Sequence, residues 1–226
     1  LANALIAAGV IIILVWSFDP ADMDRSYLLV ENFGDMQEFL AGFFPDDISS
    51  AASRGAYWTD LRAGIAEAVP QMIITIQIAI WGTFIAVIAA IPFGLLSARN
   101  VAPAWVVQPV RRLMDVFRSI NELIIALIFI AAVGLGPLAG VMALAIHTTG
   151  VLAKLFSEAV EAIDHGPVEG VRATGARPLH EVIWGVIPQV APLWTSFGLY
   201  RFESNARSAT VLGLIGAGGI GQILFE

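Results

Sequence analysis

EAVEAIDHGPVEGVRATGARPLHEVIWGVIPQVAP, residues 158–192, is the longest polar interval in the second half of a very apolar chain. Long hydrophobic runs flank it on both sides. It reads as two short helices broken at Gly166-Pro167 and again at Gly175, because Gly ends a helix at little cost and Pro restarts one in its first turn. A chain this apolar has no use for such a segment in lipid. The segment belongs outside the bilayer, facing a partner.

The composition supports a membrane class. Of 226 residues 58% are hydrophobic and 14% charged, with a mean hydropathy of +0.79. Soluble domains carry roughly 25% charged residues. Zero Cys excludes disulfides, thiolate metal sites and Cys nucleophiles. A net charge of −7 is not the signature of a nucleic-acid binder.

Residues 1–18 are apolar and uncharged, near the roughly 20 needed to span a bilayer. No basic stretch precedes them and no small-residue cleavage site follows, so they read as a first span rather than a signal peptide. The chain starts inside this helix, so residues upstream are expected. Residues 19–67 are acidic, opposed only by Arg25, Arg54 and Arg62. Phe33, Met36, Phe39, Leu40, Phe43 and Phe44 recur at helical spacing. Two readings stand: an amphipathic helix on the membrane surface, or a solvated loop with a short core helix. A second span covers 72–96, with Pro92 near its end, followed by Arg99, Arg111, Arg112 and Arg118. The positive-inside rule places this basic stretch in the cytoplasm and 19–67 outside.

The third span is expected over 115–133, carrying Arg118, Ser119, Asn121 and Glu122 at its boundary. Residues 134–137, Gly-Leu-Gly-Pro, make an outer turn. The fourth span, 138–156, has His147, Thr148 and Thr149 near its middle and returns the chain to the cytoplasm. The fifth, 182–200, leads out to Arg201, Glu203, Asn205 and Arg207. A glycine-dense run, 213–221, follows. No βαβ unit surrounds it, so it is no dinucleotide fingerprint. It suits close backbone packing or a re-entrant turn. A sixth span is expected beyond Glu226.

Within the opening stretch the spacing is specific. Glu169-Gly170-Val171, then Arg172-Ala173-Thr174, then Gly175, with Ile187-Pro188 downstream, resembles the signature of ABC importer permeases. That signature is Glu-Ala-Ala, three residues, Gly, nine residues, Ile-x-Leu-Pro. The departures are Gly170-Val171 for Ala-Ala and Gly185 at the Ile position. The resemblance implies that the loop docks on an ATPase subunit. The run 207–213 with 216–221, and Arg118-Ser119-Ile120-Asn121-Glu122-Leu123, look like the phosphonate branch of that family. Phosphite permeases are close relatives and methionine permeases more distant ones.

The resemblance implies an all-α, polytopic membrane protein of the type I importer permease fold. Residues 1–226 would form one transmembrane permease domain, with 68–226 as its core and 158–181 as the cytoplasmic coupling loop. It implies a bacterial inner-membrane protein acting as a homodimer, with two ATPase subunits using ATP and Mg²⁺, and a soluble binding protein outside. The chain itself would bind no cofactor or metal and catalyse nothing. Coupling residues would be Glu169 to Gly175 and Pro188.

Three function classes fit a chain of this composition: transport subunit, intramembrane enzyme and membrane scaffold. The sequence has no Walker A motif, no HExxH and no Ser/His/Asp arrangement in its spans. A scaffold needs no Glu169…Gly175…Pro188 spacing. An anion pathway needs hydroxyls, amides and positive potential without a tight cage. Its candidates are Ser119, Asn121, Glu122, Thr148, Thr149, Arg207, Ser208, Thr210, Gly218 and Gly219. Each has a plainer alternative. Glu122 is either functional or paired with Arg118 at i, i+4. Arg201 and Arg207 are either interface anchors or anion attractors, and Arg207 sits one turn from Glu203. His147 reads as a hydrogen-bonded packing residue, since no carboxylate or His stands three or four residues on to make a metal site.

Overall fold

The computed structural model describes residues 51–223. The apolar segment 1–18 and the Phe-rich acidic stretch lie outside the described residues. The chain divides into two units, Leu1–Ala63 and Gly64–Glu226. Of the first, only the opening turns of helix α1 are described. All described elements are helical.

Helix α1 (Ala51–Ser97) contains Pro70 and Pro92 without breaking. The sequence reading began this span at residue 72, but the helix starts 21 residues earlier. A backbone in or near hydrocarbon must satisfy its polar groups internally, and helix is the state that does so. The acidity of residues 60–67 does not interrupt it.

Helices α2 (Ala104–Ser119) and α3 (Glu122–Val133) replace the single third span expected over 115–133. They meet at a bend of 86°. Ile120 and Asn121 take extended backbone angles there, and the Asn121 side chain accepts from Leu123 N–H at 2.9 Å. An Asn that caps a helix start outweighs the unbroken apolar period that suggested one helix. Residues 115–119 therefore belong to an amphipathic helix that buries Val107 and Met114.

Helix α4 (Pro137–Glu161) begins with Pro137, so the turn expected over 134–137 is one residue shorter and ends at Gly136. It is the most enclosed helix of the unit, burying Leu144, Leu152, Phe156 and Val160. Gly82 of α1 lies against Leu144 and Gly94 against Phe156, so α1 and α4 run parallel at close range. Small residues let the two backbones approach, which replaces the hydrophobic drive that lipid cannot supply.

Beyond α4 come α5 (His165–Ala173), α6 (Pro178–His180), a π-helical turn (Glu181–Val186) and α7 (Ile187–Leu212). A second π-helical turn (Gly213–Ala217) and α8 (Ile220–Ile223) close the described chain. The fifth span was expected to end at residue 200, but α7 continues to Leu212. Two of its polar residues find partners along the helix. Arg207 pairs with Glu203 at 3.1 Å, and Asn205 bonds across to α1 and α4.

That cross-link sets the core. Asn205 Nδ2 donates to Thr83 Oγ1 at 2.8 Å, and Thr148 Oγ1 donates to Asn205 Oδ1 at 3.0 Å. One turn pair lower, Phe156 stacks on Trp194 with ring centroids 4.6 Å apart. Helix α7 therefore runs antiparallel to α1 and α4. The segments Trp58–Ser97, Pro137–Glu161 and Pro178–Ala217 are long and apolar enough to cross a membrane, and α2 with α3 makes a fourth if the bent pair counts as one span. Trp81, Phe84, Ile88, Ile124 and Ile128 stand exposed on these helices, as lipid-facing side chains do.

Candidate functional site

The signature loop is built from its caps upward. Asp164 begins α5, its carboxylate accepting from Gly166 N–H at 3.0 Å. The expected break at Gly166-Pro167 thus falls two residues upstream, and Gly166 and Pro167 form the first turn instead. Helix α5 ends at Thr174, and Gly175 follows with φ +76°. That angle strains any residue with a Cβ, which explains the fixed Gly of the spacing.

The loop is held to the base of α7 by three contacts. Gln189 receives Asp164 N–H on its Oε1 at 3.2 Å and donates from Nε2 to Gly185 O at 2.6 Å and to Asp164 O at 3.1 Å. Arg172 donates from Nε and Nη2 to the same oxygen of Glu181, at 3.1 and 2.8 Å. The bond to Glu181 and its charge, helped by Glu169 one turn back, raise the Arg172 guanidinium above its ordinary pKa. Third, Gly185 sits so close to α5 that a Cβ there would lie 3.0 Å from Val168 Cα. The Gly at the motif's Ile position is therefore a fitted residue. Glu169, Gly170, Ala173, Thr174, Gly175 and Pro188 are exposed and Val171 half-buried. A solvent-facing cleft lined by Val171, Thr174, Gly175, Arg177, His180 and Trp184 opens between α5 and the π turn.

Sequence reading missed the frame beneath this loop. Glu161, the last residue of α4, pairs with Arg111 of α2 and accepts from Arg99 N–H at 2.8 Å. Arg111 Nε donates to Ser97 O at 2.9 Å, and Asn100 Nδ2 donates to Val160 O at 2.7 Å. These bonds tie the ends of α1 and α4 to the middle of α2 where the loop begins. Arg99 and Arg111 carried a signal, but only as a sidedness rule, and Glu161 carried none. Gln189 and Glu181 had no signal in the sequence.

The second set of expected residues gathers at the α2–α3 bend. Glu122 does not pair with Arg118, which binds Asp115 on its own helix at 2.7 Å. Instead Glu122 Oε1 accepts from Ser208 Oγ of α7 at 2.9 Å, and its Oε2 faces His147 Nε2 of α4 at 3.8 Å. His147 Nδ1 lies 2.9 Å from Ile120 O. A carbonyl only accepts, so Nδ1 carries the proton. His147 is thus the hydrogen-bonded packing residue expected, and it clamps the bend.

The other expected residues are placed as follows. Ser119 is exposed and donates to Val116 O, and Asn121 caps α3. Thr148 and Thr149 are buried, with hydroxyls bonded to Asn205 and to Ala145 O. Thr210 is half-buried and donates to Ala206 O at 3.3 Å. Gly218 and Gly219 are buried at φ +78° and +86°, turning the chain so that Ile220 N–H reaches Thr75 Oγ1 at 2.9 Å. Arg207 is exposed and occupied by Glu203. A groove of about 720 Å³ between α1 and α7 is walled by Ile80, Phe84, Val87, Ile187, Ala191 and Leu199. Such walls suit hydrocarbon and not an oxyanion. Among the described residues, no group of three or more His, Asp or Glu could hold a metal ion.

Comparison with known proteins places this architecture. The family described as "Binding-protein-dependent transport system inner membrane component" matches residues 90–226. The phosphite transport system permease protein PtxC of Stutzerimonas stutzeri is 44% identical over 160 residues, 70% of this chain and 58% of that protein. A cryptic phosphonate transport system permease protein of Escherichia coli strain K12, PhnE2, provisionally so named, is 69% identical over 85 residues, 38% of this chain and 70% of that protein. A chain of the MetNI methionine ABC transporter, solved in inward-facing conformations, shares the fold with a TM-score of 0.63 at 23% identity. That match covers 69% of this chain and 77% of the other.

Proposed function

This chain belongs to the family of binding-protein-dependent transport system inner membrane components, and we propose on that premise that it is the permease subunit through which an ATP-driven importer moves a phosphonate or a related phosphorus oxyanion. The observation that carries the reading is the signature loop, residues 158–181: a short, exposed helix with Gly175 at positive φ, cross-braced to α7 by Gln189 and Arg172–Glu181. A braced, exposed helix passes force from a docked partner into α7 as a rigid body. Two likenesses, to a phosphite permease and to a phosphonate permease, support the substrate class.

In this reading two copies of the chain form the pathway. Two ATPase subunits using ATP and Mg²⁺ dock on the loops at the cytoplasmic face, and a soluble binding protein delivers substrate from outside. Glu169, Gly170, Val171, Arg172, Ala173, Thr174, Gly175 and Pro188 transmit the coupling. ATPase closure rocks the spans and alternates access. The pathway is lined from the bend and from α7, with Glu122 and Ser208 at its wall and Ser119, Asn121, Thr210 and Arg207 towards its ends.

The test is reconstitution with the cognate ATPase and binding protein in proteoliposomes. Labelled methylphosphonate, phosphite and methionine are offered as competitors. ATP-dependent uptake of methylphosphonate, inhibited by phosphite and indifferent to methionine, is the expected result. Uptake of methionine alone, or of no phosphorus oxyanion, overturns the substrate class.

A further inference from the structure

Arg201 lies near the middle of α7 and, among the described residues, forms no ion pair. Asn205, one turn on, is bonded to Thr148 near the midpoint of the 25-residue α4 and to Thr83 of α1. Arg201 therefore stands about 21 Å from the Ile187 end of α7 and about 17 Å from the Leu212 end, at 1.5 Å per residue. At helical spacing it shares a stripe with Trp194, Asn205 and Leu212, all buried in the bundle. Arg201 itself is half-buried, at the edge of that bundle-facing stripe. Its Nε is buried and finds no hydrogen-bond partner among the described residues.

The neighbouring cations are occupied. Arg207 is taken by Glu203, Arg118 by Asp115 and Lys154 by Glu158. Among the described residues no carboxylate lies within ion-pair distance of Arg201, and the one acid on the adjacent part of α7, Glu203, is spent on Arg207. An unpaired guanidinium at mid-depth is costly. Such groups are kept where they face a water-filled route or a passing ion.

We propose that Arg201 is the anion-contact residue at mid-membrane, where its planar fork binds two oxygens of a tetrahedral phosphorus oxyanion in transit. This rests on the transport reading above and moves the contact from the exposed, paired Arg207 into the bundle. A guanidinium matches two oxygens of a tetrahedral oxyanion, whereas an ammonium acts as a point charge. A single fork with few supporting donors is weak enough for release, as a route requires.

The experiment compares wild type, Arg201→Lys and Arg201→Gln in the reconstituted importer, using methylphosphonate as probe. Recovery of the ATPase with the permease reports assembly. Wild-type uptake of methylphosphonate establishes the transport reading, and its absence from wild type overturns that reading and this inference together. Given wild-type uptake, Arg201→Gln is expected to assemble normally and lose at least tenfold in uptake. Arg201→Lys is expected to keep a measurable part of it with a raised KM. Wild-type uptake in Arg201→Gln overturns the inference alone. Failed assembly in Arg201→Gln with wild-type KM in Arg201→Lys assigns the charge to a structural ion pair and overturns it too.

Discussion

Gly185 shows how a departure from a motif can be a structural requirement. A Cβ built there meets Val168 at Cα, Cγ2 and Cβ, at 3.0 to 3.4 Å. Restoring the motif's Ile should therefore harm this chain. Gly185→Ile is expected to destabilise by about 1–3 kcal/mol, the usual range for overpacking. Thermal unfolding in detergent measures it, and adding Val168→Ala should restore part of the loss, because it removes Cγ2, the close side-chain atom at 3.1 Å. Gly175 is the complementary case. Space around it is open, so only its φ of +76° matters. Gly175→Leu should cost about 1–2 kcal/mol locally and lower substrate-stimulated ATP hydrolysis. Gly175→Asn should be tolerated, since Asn accepts left-handed backbone. Equal effects of the two would show that bulk, not conformation, decides. The fixed Gly was legible from spacing alone. The fitted Gly185 was not, because a close approach between elements leaves no trace in one strand of sequence.

At the scale of elements, periodicity read the long helices well and their ends poorly. Helix α4 starts where the fourth span was expected because Gly136 and Pro137 mark that start, but it runs to Glu161, five residues past the expected end, where no Gly or Pro stops it. The third span failed because an apolar run has the same period whether a helix continues or restarts, and only Asn121 marks the restart. The fifth span was cut short at Arg201 because charge was taken as an exit from the bilayer. Asn205, whose side chain holds Thr83 and Thr148, shows why α7 goes on. Asn205→Leu removes both partners at once. Interhelical hydrogen bonds in membranes average about 0.6 and reach about 1.7 kcal/mol, so the variant should lose about 1–2 kcal/mol in a denaturation titration. Asn205→Asp should lose more, by burying a charge. A gain in stability for Asn205→Leu would show that packing, not the network, joins α1, α4 and α7.

At the scale of the whole molecule, charge and motif agree on which end of the bundle faces which compartment, and the geometry makes that agreement testable. Glu161, Arg111 and Arg99 gather at one end of α4, directly beneath the signature loop. Leu135 stands exposed at the other end, in the turn between α3 and α4. Positive charge at the loop end follows the rule for cytoplasmic faces, and an ATPase can act only where ATP is present. The two arguments are physically independent, because one concerns insertion and the other energy supply. Replacing Leu135 and Glu169 by Cys in turn, in a chain that has none of its own, separates the faces. An impermeant maleimide added to intact spheroplasts should label Leu135→Cys and leave Glu169→Cys untouched. Opening the membrane should then label Glu169→Cys, unless a docked ATPase covers it, and removing the ATPase should restore labelling. Labelling of Glu169→Cys from outside would invert the molecule and remove the loop from its partner. The coupling reading would fall with it, whatever the substrate proved to be.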